Sequence, residues 1–493
     1  MNDNQPTTGK VYLIGAGPGH PGLITRWGGE LLETCDAVVY DDLIPLELVA
    51  GLPSTIEKHY VGKRSGRHSA TQTDINELII KLAQRGLNVA RLKGGDPTIF
   101  GRGGEELATL TQAGIRAFII PGVTAATTAA ASGGISLTDR RSASWLMLAT
   151  GKGAESDSPP VPWREIASLK GGTLCVYMGV GELEHIAGEL QAGGMDPKTP
   201  VLIIQNAGSG IQRQKSSTLG KVVDVVQNSQ IQPPALIIIG PTAASSEGYK
   251  NTGALTGKRV LVTRPSPQCL SLCRLIREQG GEPLPYPTIA IEPFDDVKGW
   301  DDFKRLAPLG GWCVFTSEAG VNCFFNLLLK KGLDVRSMGR FSVAAVGRGT
   351  AAALSQRGII PDLIPERALV SSLAQSLAKV KLTNSLVVRV RGNLGDYKIE
   401  ETAERKSAQV LSLTVYHNLT AEWLPYWISQ VIEQPPDYIT FTSGSTVDGF
   451  VQILGIERAQ ILGRKAVSAS IGPSTSTVMR KYGFEPVVEA EEH

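Results

Sequence analysis

Cysteine is scarce. Six residues, at positions 35, 175, 269, 273, 313 and 323, are spread over 493, and none forms a Cys-x-x-Cys pair. This argues against a disulfide-stapled design or a zinc ribbon; Cys269 and Cys273 stand one helical turn apart, and buried free thiols in a reducing cytoplasm are expected. An excess of charge of one sign is also missing, with 49 basic and 47 acidic residues giving +2. No overall field recruits nucleic acid or a membrane, so an anionic small substrate would need a local group of arginines. Long apolar runs are absent as well. The smoothest low-charge stretch, residues 117–135, is broken by Pro121 and by glycines and cannot span a bilayer. Residues 1–10 are polar and lack the apolar core of a signal peptide, so a cytoplasmic protein is expected.

Glycine, by contrast, is plentiful at 55 residues, and its placement organises the chain. Residues 88–106 run Asn-Val-Ala-Arg-Leu-Lys-Gly-Gly-Asp-Pro-Thr-Ile-Phe-Gly-Arg-Gly-Gly-Glu-Glu. Val89, Ala90 and Leu92 predict a short buried strand. Gly94 and Gly95 end it without Cβ atoms, so a ligand can lie against bare backbone, and Asp96 sets a carboxylate at the rim. Gly101, Gly103 and Gly104 precede Glu105 and Glu106, acids suited to a helix's first turn. A plain strand–turn–helix corner explains any one of these glycines. Together, at a strand's carboxyl end, they mark the place where open α/β sheets take ligands.

The length suggests about three domains. Residues 10–14 predict a strand entering Gly15-Ala-Gly-Pro-Gly-His-Pro-Gly22. Gly17, Gly19 and Gly22 carry the spacing of a dinucleotide fingerprint, with Asp41 or Asp42 about 20 residues on. Pro18 and Pro21, however, remove N–H groups where a pyrophosphate needs donors. The turn therefore suits a ligand without a phosphate, and a nicotinamide-dependent dehydrogenase is the remote alternative. An amphipathic helix over 23–34 and a strand over 37–40 deliver Asp41. Val61-Gly-Lys-Arg-Ser-Gly-Arg-His68 is a basic loop whose plain reading is a solvated one. A helix over 74–85, capped by Thr73 or Asp74, leads into the strand at 89. With a helix over 105–113 and a strand over 116–120, the β-α alternation predicts a largely parallel sheet. The turn Pro121-Gly-Val-Thr-Ala-Ala is built from small side chains that let another surface approach. A second α/β unit begins at Ser144, with strands near 146–149, 173–178, 200–205 and 235–239, and 240–256 is the linker candidate.

From 258 the rhythm restarts, with strands near 258–263, 314–316, 343–346, 386–390, 410–415, 438–442 and 466–469. The turns after them offer hydroxyls or free N–H groups: Thr316-Ser317, Gly347-Arg-Gly-Thr350, Arg391-Gly392, Thr442-Ser-Gly-Ser445 and Gly472-Pro-Ser-Thr475. Helix N-capping explains each singly. Five of them facing one crevice would form an anion-binding cleft.

Val11-Tyr-Leu-Ile-Gly-Ala-Gly-Pro-Gly, Val39-Tyr-Asp-Asp-Leu, Val61-Gly-Lys-Arg, Arg91-Leu-Lys-Gly-Gly-Asp-Pro, Phe100-Gly-Arg-Gly-Gly-Glu-Glu, Pro121-Gly-Val-Thr-Ala, Leu137-Thr-Asp-Arg and Tyr177-Met-Gly stand in one order. Over residues 10 to about 241 they resemble uroporphyrinogen-III C-methyltransferases of the tetrapyrrole methylase family. The second half is similar to uroporphyrinogen-III synthase through Arg264-Pro265, Phe315-Thr-Ser, Val346-Gly-Arg-Gly-Thr, Val415-Tyr416 and Ile471-Gly-Pro-Ser-Thr. The synthase's product is the methyltransferase's substrate, which fits the pairing.

The resemblance implies a two-subdomain methylase fold over 8–241 (about 8–121 and 122–241) and a linker over 242–256. It implies a two-lobed α/β synthase fold over 257–493, with lobes of about 257–284 plus 420–493 and 296–408, joined by strands over 284–291 and 410–417. It implies S-adenosylmethionine as methyl donor, leaving as S-adenosylhomocysteine, with Pro18, Gly94, Gly95, Asp96, Ile99, Thr124, Ala125, Met178 and Ala207 at its site; relatives commonly have glycine in place of Ala207. Asp41 corresponds to a proton acceptor, Lys63 to a proton donor and Tyr416 to the acid for hydroxyl departure. Arg64, Arg264, Thr350, Ser443 and Thr475 would bind substrate. The implied chemistry cyclises hydroxymethylbilane to uroporphyrinogen III with inversion of the last ring, then methylates it twice to precorrin-2, toward sirohaem or cobalamin. A homodimer through the methyltransferase half is implied, and no metal, nucleic acid or membrane partner is expected. The alternative is a methyltransferase whose second half binds tetrapyrroles without catalysis. Two departures from the pattern are His20, where an Asp is usual, and Asp139, where a His is usual.

Overall fold

The computed structural model describes residues 8–53, 55–62, 71–152, 160–246, 252–266 and 268–490. The protein is mixed α/β. It divides into a first unit of Met1–Val262, Pro267–Pro285 and Leu424–Tyr438 and a second of Thr263–Ser266, Tyr286–Trp423 and Ile439–His493.

In the first unit, β1 (Val11–Gly15), β2 (Ala37–Tyr40), β3 (Glu57–Tyr60), β4 (Val89–Lys93) and β5 (Ala117–Ile120) form a sheet of order β3-β2-β4-β1-β5. Every pairing in it is parallel, as the alternation predicts. Their short apolar runs suit strands covered on both faces, and β4 is buried along its whole length. The central strands β1 and β4 end side by side, which brings the two glycine corners at 15–22 and 94–96 together.

Two helix starts differ from the expectation. The helix predicted from residue 23 begins at Arg26, because Pro21–Leu23 forms a single 3-10 turn and Thr25 caps the helix proper. The next helix spans Gln72–Gln84. Its cap is Thr71, which exchanges hydrogen bonds with Asp74 in a capping box, so neither Thr73 nor Asp74 is the N-cap.

A second sheet holds β6 (Trp145–Thr150), β7 (Gly172–Tyr177), β8 (Pro200–Gln205), β9 (Arg213–Thr218) and β10 (Ala235–Ile239) in the order β6-β7-β10-β8-β9. Only β6 and β7 pair in parallel; β10 runs antiparallel between β7 and β8. The edge strand β9, Arg-Gln-Lys-Ser-Ser-Thr, carries no apolar signal and is held by its antiparallel ladder on β8. Pro241–Ser246 continues as a 3-10 helix in which Thr242 is buried and bonded to Thr173. Also in this unit, β11 (Arg259–Val262) and β12 (Glu282–Pro285) pair in parallel. Arg277, on the helix Cys269–Glu278, is buried between Glu47 (2.5 Å) and Glu282 (3.2 Å).

The second unit contains β13 (Ile289–Pro293), β14 (Gly311–Phe315), β15 (Phe341–Ala345), β16 (Leu386–Gly392) and β17 (Gln409–Thr420) in the order β13-β17-β16-β14-β15. Trp300, Phe303, Phe315 and Phe324 stack edge and face in its core. The twelve-residue β17 pairs in parallel with β16 and antiparallel with β13. β18 (Tyr438–Phe441), β19 (Val467–Ser470) and β20 (Val488–Glu489) follow, with β19 and β20 parallel.

All six cysteines are free and buried, and burial pushes the Cys35 and Cys175 thiols up to about 12. Among the described residues no helix is long and apolar enough to cross a membrane.

Candidate active sites

At the corner where β1 and β4 end, backbone packs directly on backbone. A Cβ at Gly15 would stand 2.6 Å from Gly122, and one at Gly122 only 2.4 Å from the Gly95 carbonyl. Gly95 differs from both. Its φ is +74°, and a Cβ there would fit without a clash, in ordinary contact with Ala125 N at 3.9 Å and the Val123 carbonyl at 4.0 Å. Gly17 donates its N–H to the Gly95 carbonyl at 3.2 Å, tying the two corners.

The proline-bearing turn uses its own donors. Ala16 N–H goes to Lys93, Gly17 N–H to Gly95, His20 N–H to Pro18 and Gly22 N–H to the His20 Nδ1. With Pro18 and Pro21 lacking N–H groups, only the Gly19 N–H is left without a partner in residues 16–22 among the described residues, and a single donor is not the nest that a pyrophosphate needs. His20 caps the 3-10 turn through a ring nitrogen, doing there what a carboxylate would do. Gly19 packs on the 207–208 backbone, where its Cβ would lie 2.4 Å from the Ala207 carbonyl, so Pro18 and Ala207 border one another.

Asp96 is 9% exposed and its carboxylate is fully engaged: Oδ2 accepts from Gly122 N–H at 2.9 Å, and Oδ1 accepts from the Thr98 N–H and hydroxyl. It knits the two glycine turns together. Ile99 donates its N–H to the Asp96 carbonyl at 3.2 Å. Across from Gly95, Thr124 caps the helix Ala125–Ser132 without using its side chain. Its hydroxyl instead meets the Tyr177 hydroxyl at 2.7 Å, and Ala126 N–H donates to the same phenol oxygen at 3.0 Å. The Phe100 ring lies on Tyr177, 5.0 Å between centroids. Next to Tyr177, Met178 has φ +51° and is 53% exposed. Of the residues singled out in the sequence, Ala125 borders the Gly95 Cβ position, and Tyr177 holds Thr124 and Ala126 beside it. Tyr177→Phe is expected to lower stability by about 1–2 kcal/mol, read as a lower urea midpoint with unchanged slope; an unmoved midpoint would show the phenol to be idle.

Asp41, at the end of β2, keeps a partly exposed carboxylate. Leu43 N–H binds one oxygen at 3.1 Å and Arg91 Nη2 the other at 2.9 Å. Behind Arg91, Lys93 Nζ bonds Glu106 Oε1 at 2.6 Å, and Gln72 donates to the same oxygen. Glu106 is wholly buried, and burial pulls the Lys93 ammonium below its ordinary value although Glu106 opposes the shift. Sequence reasoning gave Arg91 and Lys93 no role of their own and read Glu106 only as an acid of a helix's first turn. The available signal was two cations on alternate positions of a strand otherwise built for full burial, which demand a buried anion. Lys63 and Arg64 lie outside the described residues. Asp139 caps its own turn, accepting from Arg141 N–H and the Ser142 hydroxyl, and its pKa is lowered first by the Arg141 backbone bond.

In the second unit, the Tyr416 hydroxyl lies 3.1 Å from Ser317 Oγ. Arg264 bonds Glu318 at 3.0 Å, beside Ser317. Ser443 caps the helix Gly444–Leu454 through a capping box and contacts Ser445, which accepts from Asn418 on β17. Thr350 and Thr475, in the first turns of the helices Arg348–Ser355 and Pro473–Lys481, are 5% and 1% exposed. Near Tyr416, Arg389 and Arg391 share the buried Glu400, and Ser412 donates to the same carboxylate. Among the described residues, no group of three or more His, Cys, Asp or Glu is arranged to hold a metal.

Two family models match the chain: tetrapyrrole (corrin/porphyrin) methylases over residues 10–223 and uroporphyrinogen-III synthase HemD over 271–493. The porphyrin biosynthesis protein HemD of Ruminiclostridium josui is 34% identical over 484 residues, 97% of this chain and 95% of that protein. The uroporphyrinogen-III C-methyltransferase of Priestia megaterium is 40% identical over 233 residues, 47% of this chain and 97% of its own. Among solved structures, a Thermus thermophilus uroporphyrin-III C-methyltransferase complexed with S-adenosyl homocysteine matches 48% of this chain and 100% of its own, with 37% identity and a TM-score of 0.42. The chain belongs to the family of the Ruminiclostridium josui protein, as a bifunctional enzyme of tetrapyrrole biosynthesis that joins a tetrapyrrole methylase to a uroporphyrinogen-III synthase.

Proposed function

We propose that the second half cyclises hydroxymethylbilane to uroporphyrinogen III and that the first half methylates this product twice to give precorrin-2. The observation that carries the methyltransferase reading is the cradle at Gly95. A Cβ there would reach Ala125 N and the Val123 carbonyl, Thr124 next to Ala125 is held by Tyr177, and in the neighbouring turn only the Gly19 N–H is left without a partner among the described residues. This suits S-adenosylmethionine, a nucleoside without phosphate, held by Pro18, Gly94, Gly95, Ile99, Thr124, Ala125, Met178 and Ala207, with Asp96 fixing the backbone beneath. When bound, S-adenosylmethionine supplies a methyl group activated by a sulfonium.

Methylation of a pyrrole carbon leaves the ring cationic, and the ring must then lose a proton. Asp41 takes that proton: its carboxylate is partly exposed, and Leu43 N–H and Arg91 orient it. Lys63 is the proton donor, and Arg64 holds a substrate carboxylate. In the second half Tyr416 protonates the departing hydroxyl of hydroxymethylbilane, and Arg264, Thr350, Ser443 and Thr475 receive substrate carboxylates. With both threonines buried, Thr350 would act through the N–H groups of its helix start, whereas the Thr475 N–H already goes to the Gly472 carbonyl at 3.1 Å and leaves the Ser474 N–H for a carboxylate. The methyltransferase half forms the homodimer contact.

Incubating the protein with hydroxymethylbilane and S-adenosylmethionine is expected to yield a dimethylated macrocycle of the type III series, read by mass and by isomer separation. An unmethylated macrocycle alone would remove the methyltransferase half of the proposal. The uninverted isomer that forms spontaneously would remove the synthase half.

A further inference from the structure

Tyr416 sits where β17 changes partners. On one side it faces Gly392, across a shift of register between Arg391 and Gly392, and on the other it faces Pro293 of β13. Its ring fills a slot that only glycine leaves free. A Cβ on Gly392 would lie 2.5 Å from ring carbon Cε2 and 3.0 Å from the hydroxyl, and the opposite wall is Gly320, whose Cβ position is 3.8 Å from Cε1. At the end of this slot stands Ser317, the N-cap of the helix Glu318–Lys330.

The Ser317 oxygen has two neighbours. It accepts the Gly320 N–H at 3.0 Å, and it lies 3.1 Å from the Tyr416 oxygen. No other hydrogen bond is made by this hydroxyl among the described residues. If Tyr416 donated to Ser317, the phenol would have no hydrogen left for a substrate and the serine hydrogen would have no acceptor. With Ser317 donating, the serine hydrogen has its acceptor and the phenol hydrogen, which has no acceptor among the described residues, is left for a substrate. The Gly320 N–H and the positive end of the helix also polarise the serine O–H and make it a better donor.

We propose that Ser317 is a positioning residue of the synthase half, donating its hydrogen to the Tyr416 oxygen so that the phenol hydrogen is presented to the departing hydroxyl of the substrate. The inference rests on the reading of Tyr416 as the acid. In the step it serves, the C–O bond of the hydroxymethyl group breaks. The electron pair leaves with the oxygen, which takes the Tyr416 proton and departs as water. The carbon is left as a cation conjugated with its pyrrole. The phenolate is held by the Ser317 hydrogen until the proton shed by the attacked pyrrole carbon returns to it, so the cycle closes without a co-reactant.

The charged and titratable groups around the phenol are Arg389 and Arg391 from β16, which share one carboxylate, Cys323 from the helix Glu318–Lys330, and Glu318, already paired with Arg264; β13 presents Pro293. Two guanidiniums against one carboxylate leave a net positive surrounding that favours the phenolate. Burial raises the Tyr416 pKa, and the Ser317 bond and the two arginines oppose the rise.

The test measures the rate of type III isomer formation against pH for Ser317→Ala, Ser317→Asp and Ser317→Thr, with Tyr416→Phe and the Ser317→Ala/Tyr416→Phe double variant. Ser317→Ala is expected to lower kcat about 10- to 100-fold at unchanged KM, and to move the alkaline limb of the profile to higher pH because the phenolate loses a donor. Ser317→Asp keeps a helix cap but has no hydrogen to give, so it should lose activity while retaining Tm. Ser317→Thr should restore both rate and limb. In the Tyr416→Phe background Ser317→Ala should cost nothing further. An unmoved limb, full activity of Ser317→Asp, or additive losses in the double variant would overturn the role of Ser317 while leaving Tyr416 in place. Full activity of Tyr416→Phe would instead overturn the underlying reading, and the inference with it.

Discussion

Gly95→Val is expected to abolish binding of S-adenosylhomocysteine, with a loss of at least about 100-fold, or near 3 kcal/mol. Two effects act together. Gly95 holds φ at +74°, a region a β-branched residue enters only at a cost of about 1–3 kcal/mol. The branched side chain would also fill the space bordered by Ala125 N and the Val123 carbonyl, which stand 3.9 and 4.0 Å from the Cβ position. Because the Cβ itself makes only ordinary contacts, the cost to the fold is mainly the backbone strain, and the fold should survive. Gly95→Ala adds the single Cβ and is expected to fall between the two. Titration calorimetry measures the affinity, and circular dichroism shows whether the fold is kept. Wild-type affinity in a folded Gly95→Val protein would place the donor elsewhere.

For Asp41→Asn the expected result is different: donor affinity within about twofold of wild type and methylation slowed about 10²–10⁴-fold. Asparagine has the shape of aspartate, and its carbonyl oxygen can still accept the hydrogen bond from Arg91. It cannot take a proton from the methylated ring. Initial rates of methyl transfer to uroporphyrinogen III, set beside the binding titration, separate the two quantities. An unchanged rate would take Asp41 out of the mechanism. Loss of donor binding would mean that Arg91, freed from its carboxylate, disturbs the neighbouring corner.

Much of the strand framework was legible because strands of open α/β sheets are short apolar runs between glycine-bearing turns. The runs at Ala37–Tyr40, Pro200–Gln205 and Ala235–Ile239 coincide with their strands residue for residue. β9 was not legible, since an edge strand held by its backbone ladder needs no apolar residue. Nor was the antiparallel direction of β10 within the second sheet, because an apolar run has no sense of direction. The start of the helix at Gln72 was misplaced by two or three residues. Thr71, Thr73 and Asp74 are all competent caps, and only the exchange between Thr71 and Asp74 distinguishes them.

The amino-acid sequence by itself determined where the backbone is bare and where it lacks N–H groups, and so what kind of ligand the first corner can meet. Those properties belong to single residues: a glycine has no Cβ and a proline has no N–H wherever they stand. Tertiary structure alone decided which groups are already engaged. Asp96 is consumed by Gly122 and Thr98, Arg91 is turned onto Asp41 by a strand whose buried charges Glu106 balances, and Ser317 is left with one hydrogen and one acceptor for it. A hydrogen bond needs its partner at about 3 Å, and these partners, as far as 99 positions apart in the chain, meet only when the sheets assemble.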